Sequence, residues 1–104
     1  MIEKLVEWGS TYFEEFTTQA LSGASYVNVD PDTIECKLET YANTPVEVAD
    51  LTYEKQSTGV YYVEFYADQS LYSTGTSYYI TMYWTYDGKS MCERVAIQIV
   101  ADKK

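Results

Sequence analysis

Asp87-Gly88 stands between two runs in which large apolar side chains fall at every second position, and this constrains the chain more than any other feature. Asp and Gly both tolerate the positive φ of a two-residue primed turn, so the pair between alternating runs predicts a β-hairpin from Tyr78 to Ala101. On its first arm Tyr78, Ile80, Met82, Trp84 and Tyr86 share a face and Tyr79, Thr81, Tyr83 and Thr85 share the other. On the second arm Val95, Ile97 and Ile99 oppose Arg94 and Gln98.

The same period recurs upstream. Asp30-Pro31-Asp32 reads as a turn, followed by a half-buried strand in which Ile34, Cys36 and Leu38 alternate with Glu35, Lys37 and Glu39. Val46 to Tyr53 changes parity around Ala49 and Asp50, which predicts two short strands or one strand with a bulge. After Ser57-Thr58-Gly59, Val60 to Ala67 is a strand with Tyr61, Val63, Phe65 and Ala67 on one face and Tyr62, Glu64 and Tyr66 on the other. Gln69 to Ser77, rich in Ser and Thr, is a loop long enough to pass between sheets. Short strands separated by turn signals every 8 to 12 residues predict an all-β antiparallel sandwich. At 104 residues the chain is one domain, 1–104, with 1–10 as a lead-in; it has room for one two-layer core and little for an enclosed cavity.

Residues 1–22 admit two readings. Leu5, Trp8, Tyr12, Phe16 and Ala20 fall at helical spacing, which would give an N-terminal helix packed on an antiparallel sheet, an α+β alternative. Gly9-Ser10-Thr11 interrupts that pattern, and the Thr, Tyr and Phe of Thr11 to Thr18 suit a pleated surface.

Several function classes are disfavoured by composition. There is no His, which removes Ser-His-Asp and Cys-His pairs and His-based metal sites. A catalytic carboxylate pair such as Glu64 with Glu93 is unremarkable among 16 acidic residues, so no catalytic residue is assigned and the chain is read as a non-enzyme. Asp30, Asp32 and Glu35 crowd one turn, but Pro31 and the spacing do not fit a Ca²⁺ loop; the two aspartates are expected to make Asx-type bonds that shape the turn. No cofactor or metal is expected. Seven basic against 16 acidic residues give a net charge of −9 with no basic cluster, which argues against nucleic acid as a partner. No apolar run reaches the roughly 20 residues of a membrane helix and no signal pattern opens the chain, so synthesis in the cytoplasm and no membrane partner are expected. Cys36 and Cys92 have opposite strand parity and are read as free thiols.

The runs Glu7-Trp8-Gly9-Ser10-Thr11-Tyr12, Val29 to Leu38 (VDPDTIECKL), Ser57 to Asp68 (STGVYYVEFYAD) and Trp84 to Lys89 (WTYDGK) resemble small immunoglobulin-like proteins encoded among the structural genes of tailed phages. That resemblance implies an immunoglobulin-like sandwich of about seven strands, a strand from about Thr11 to Ala20 after an extended lead-in at Ile2 to Glu7, and a virion location. It further implies a multi-copy neck or head–tail connector component, or a capsid decoration protein, contacting other virion proteins and copies of itself in a ring or symmetric array. A small acidic inhibitor of a host nucleic-acid enzyme, mimicking DNA charge, fits the charge and size as an alternative.

The tyrosines carry the contact prediction. Tyr61, Tyr78 and Trp84 share parity with aliphatic residues and belong in the core. Tyr62, Tyr66, Tyr79 and Tyr83, with Thr81 and Thr85, would form an aromatic band on the outer face of one sheet, and exposed apolar area of that kind marks interfaces. Tyr62, Tyr66, Tyr79, Thr81 and Tyr83, with Leu71 and Tyr72 of the long loop, are therefore the candidate interface residues; oligosaccharide stacking on the band is a further possibility.

Overall fold

The computed structural model describes residues 4–101, and every regular element in that span is a β-strand. A five-stranded sheet has the order β1 (Lys4–Glu7), β10 (Lys89–Val100), β9 (Ser77–Tyr86), β5 (Thr33–Thr40), β6 (Glu47–Asp50). A three-stranded sheet has the order β2 (Thr11–Thr17), β8 (Val60–Tyr66), β7 (Thr52–Ser57), and β3 (Gln19–Ser22) with β4 (Ser25–Asn28) makes a separate two-stranded ribbon. All pairings are antiparallel except β1 with β10, which is parallel and joins the two ends of the chain. The helical alternative for the N-terminal segment is thereby corrected: from Lys4 onward it forms three strands. The expected lead-in positions Met1 to Glu3 lie outside the described residues.

Side-chain alternation explains why the two sheets face each other. Phe16, Tyr61, Val63, Phe65 and Ala67 from the smaller sheet and its flanks meet Val6, Cys36, Leu38, Ile80, Met82, Trp84, Ile97 and Ile99 from the larger. Full burial of an aliphatic or Phe side chain contributes about 1.5–3 kcal/mol, so this shared layer dominates the gain on folding. The expected hairpin is present, with Lys89 paired to Tyr86 across Asp87 (φ 51°) and Gly88 (φ 75°), the conformation of a type I′ turn. The parity change near Ala49 marks two strands in different sheets: β6 ends the five-stranded sheet, the chain crosses at Leu51, and β7 edges the other.

One knot ties the ribbon to the sandwich. Thr18 N–H donates to the Gly59 carbonyl at 2.8 Å, Val29 N–H to the Thr18 carbonyl at 3.0 Å, and the Thr18 hydroxyl to the Val29 carbonyl at 2.7 Å. Gly59 is required there: its φ is +71°, and a Cβ would lie 2.8 Å from the Thr18 carbonyl oxygen. Asp30 completes the knot by accepting from Lys55 Nζ (2.7 Å), Gly59 N–H (3.1 Å) and the Tyr61 hydroxyl (3.3 Å). Asp32 accepts from Asp87 N–H at 3.0 Å. The expected local Asx bonds are corrected accordingly, since both aspartates clamp segments distant in sequence.

Candidate functional site

The predicted single aromatic band does not exist, because its members belong to different sheets. Tyr62 and Tyr66 lie on β8 and face outward from the three-stranded sheet, whereas Tyr79, Thr81 and Tyr83 lie on β9 and face outward from the five-stranded sheet. The two groups therefore occupy opposite sides of the sandwich. Strand parity gave each residue its inner or outer face correctly and said nothing about which sheet it joined.

On the five-stranded sheet, β5 and β9 place Glu39 opposite Tyr79, and β10 places Arg94 opposite Thr81. Glu39 is only 5% exposed although its strand parity points outward. Its carboxylate accepts from the Thr81 hydroxyl at 2.6 Å, from the Tyr83 hydroxyl, and from Arg94 Nη2 at 3.0 Å. Arg94 also donates to Thr81 Oγ1 and to the Tyr83 hydroxyl, both at 3.1 Å, and its guanidinium carbon lies 5.2 Å from the centre of the Tyr79 ring. Tyr41 also packs against the Tyr79 ring, with ring centroids 5.0 Å apart and tilted by 39°. Burial resists ionisation of Glu39, but the bonds from Thr81, Tyr83 and Arg94 outweigh it and hold the carboxyl below its ordinary range. The Tyr83 phenol is raised in turn, chiefly by its bond to that carboxylate. As a contact residue Thr81 is corrected: it is fully buried, its hydroxyl committed to Glu39. Tyr79 and Tyr83 are half-buried parts of a closed network, which makes them structural first. Beside it, Lys37 Nζ pairs with Asp50, with Glu47 at 3.2 Å and with Glu35 at 3.9 Å, so three acids of this face share one lysine.

Leu71 and Tyr72 separate in the same way. Leu71 is exposed, whereas Tyr72 turns inward, edge-on to Phe65 (5.3 Å) and Tyr78 (5.6 Å), while its carbonyl accepts from the Trp8 indole at 2.9 Å. Tyr72 is thus corrected from contact residue to core cover.

Two surfaces stand open. The outer face of β2, β8 and β7 exposes Phe13, Tyr62 and Tyr66 among Glu15, Glu54 and Glu64. At one end of the sandwich, the β3–β4 ribbon exposes Leu21 (64%) and Tyr26 (69%) and forms with the β9–β10 turn a shallow groove of about 220 Å³ lined by Leu21, Tyr26, Tyr86 and Met91. The sequence reading missed this ribbon. Its signal was Gly23-Ala24 between Ala20-Leu21 and Tyr26-Val27, a Gly-X pair with Gly23 at φ +63°.

Among the described residues no three Cys, Asp or Glu converge as metal ligands, and no helix is long and apolar enough to cross a membrane. Cys36 faces the core, where burial pushes its thiol up to about 12, and Cys92 lies on the outer face beside Tyr83; both are free.

No family model and no curated protein sequence matches the chain. Among solved structures, the crystal structure of the titin M3 domain is similar, with a TM-score of 0.56 at 10% identity over 96% of this chain and 95% of that one. Identity that low speaks to the fold alone. With the facing sheets and the parallel closure of β1 on β10, it makes this chain an immunoglobulin-like β-sandwich.

Proposed function

We propose that the chain is a non-enzymatic structural protein of a tailed phage particle, a multi-copy neck or head–tail connector component that contacts other virion proteins and copies of itself. The phage assignment is supported by the sequence resemblance. The geometric observation that carries the self-contact is the β3–β4 ribbon. Gln19 to Asn28 contains no charged residue in a chain of net charge −9, so copies can meet there without bringing carboxylates together. The outer edges of β3 and β4 are unpaired among the described strands, and an unpaired edge is a template for another strand. Contact through such an edge can be head-to-tail, as a ring requires. A capsid decoration protein would use the same contact.

The experiment is light scattering across protein concentration at low and high salt, on the wild type and on Leu21→Asp with Tyr26→Asp. The wild type is expected to form a closed multimer that persists in high salt, and the variant to remain a monomer with an unchanged thermal transition. A wild-type monomer at every concentration, with the variant entering particles normally, would sink the proposal. The second reading, an acidic inhibitor of a host nucleic-acid enzyme, is favoured by one observation: among the described residues, Glu15, Glu54 and Glu64 on the outer face of the three-stranded sheet have no ion-pair partner.

A further inference from the structure

The outer face of the three-stranded sheet has a regular composition. Across the strands, Glu15, Tyr62 and Glu54 form one row; Phe13, Glu64 and Thr52 form the next; Thr11 and Tyr66 form the third. Phe13 is 56% and Tyr66 52% exposed, so the rings are not there to complete a core. With strands about 4.8 Å apart, Tyr62 has a carboxylate-bearing position about 5 Å away on either side. Glu64 is a diagonal neighbour of both Glu15 and Glu54, and none of these three glutamates has an ion-pair partner among the described residues. Lys55 does not relieve them: it shares a row with inward-facing Tyr61 and is paired with Asp30.

The opposite sheet shows what such an arrangement accepts. There Arg94 lies against the Tyr79 ring and bonds to Glu39, so a guanidinium is held by an aromatic ring and a carboxylate together. On β8 the ring and the carboxylates are present, and among the described residues no cation pairs with them. We propose that this face binds an arginine-bearing basic polypeptide segment, one guanidinium stacking on Tyr62 between Glu15 and Glu54. Arginine fits better than lysine because its planar head stacks on a ring while donating to carboxylates on either side. Phe13 and Tyr66 offer apolar surface to the stems of flanking basic side chains. A nucleic acid or an anionic membrane would be repelled, and a second copy presenting the same face would set glutamate against glutamate. The proposal does not depend on the virion reading.

The test titrates a peptide of alternating arginine and serine into the labelled protein, followed by amide chemical shifts. Alternation places every arginine on one side of an extended chain. Shifts are expected in β2, β8 and β7, with affinity falling at least about tenfold between about 50 and about 300 mM salt. Glu15→Gln with Glu54→Gln should weaken binding about tenfold, and Tyr62→Leu about fivefold, the first because the guanidinium loses the negative charge on both sides while each Gln keeps a neutral acceptor. Glu35→Gln with Asp87→Asn removes the same charge elsewhere and should stay within about twofold; a lysine peptide should bind about threefold more weakly. Thermal transitions establish that each variant is folded. The proposal is overturned if the wild type does not bind at low salt, if the shifts fall on the five-stranded sheet, or if the two charge-matched pairs lose affinity equally.

Discussion

Glu39→Ala is the substitution that most directly tests how the outer face of the five-stranded sheet is held. Removing the carboxylate strands the Thr81 hydroxyl, which is fully buried and has Glu39 as its acceptor, and removes the counter-charge of Arg94. A buried polar group left without its partner costs about 1–3 kcal/mol. Tyr83 and Arg94 reach water at their outer ends and lose less, so the whole change is about 2–4 kcal/mol. A domain of this size shifts by about 4–8 °C per kcal/mol, which places the expected fall in Tm on the order of 8–30 °C. Glu39→Gln keeps an oxygen acceptor and should cost about half as much. The pH dependence has a definite sign. The folded carboxyl titrates below its ordinary value of 4.5, so its contribution is complete above that pH and is lost as the pH falls through the folded value. Circular dichroism melts at a series of pH values give the readout: the gap between wild type and Glu39→Gln should be constant at neutral pH and close below about pH 4.5. A Glu39→Ala Tm within about 3 °C of wild type, or a gap that widens on acidification, would refute the reasoning.

Gly59→Ala should destabilise by about 2–4 kcal/mol in urea titrations, since it adds a backbone clash with the Thr18 carbonyl to the left-handed strain of about 1–2 kcal/mol. Gly23→Ala has a similar φ in open space and should show the strain alone, so equal losses at the two sites would remove the role given to the Thr18 contact. A thiol reagent counted by mass spectrometry should label the native protein once, at Cys92, and label Cys36 only after denaturation, because Cys36 is buried and its thiol is pushed up to about 12. Rapid double labelling of the native state would contradict the packing of β5.

How much of this molecule is legible in its sequence can be seen from five residues. Ile80 and Met82 sit at alternate positions among aliphatic side chains, and they are buried as that spacing requires. Tyr62 and Tyr83 have the same outward parity on their strands, yet one lies on the open acidic face and the other against Glu39, on the far side of the sandwich. Glu39 itself shares parity with Glu35 and Lys37, and its burial depends on Thr81 and Arg94, 42 and 55 residues away. The ribbon was missed for a related reason. Its turn chemistry is local, but its independence from both sheets follows from where Thr18, Val29 and Gly59 lock together.

The sequence by itself determined the strand period, the I′ turn at Asp87-Gly88, the inner or outer face of most side chains and the excess of carboxylates. These are local properties: a pleat turns alternate side chains to opposite faces, and a positive φ selects Asp and Gly, wherever the strand ends up. Tertiary structure alone decided which strands share a sheet, the parallel closure of β1 on β10, the separation of the tyrosines onto two faces, and which glutamates acquire a cation. Those depend on pairings between segments far apart in the chain, whose energies come from burial and register across the whole sandwich and leave no mark within any single strand.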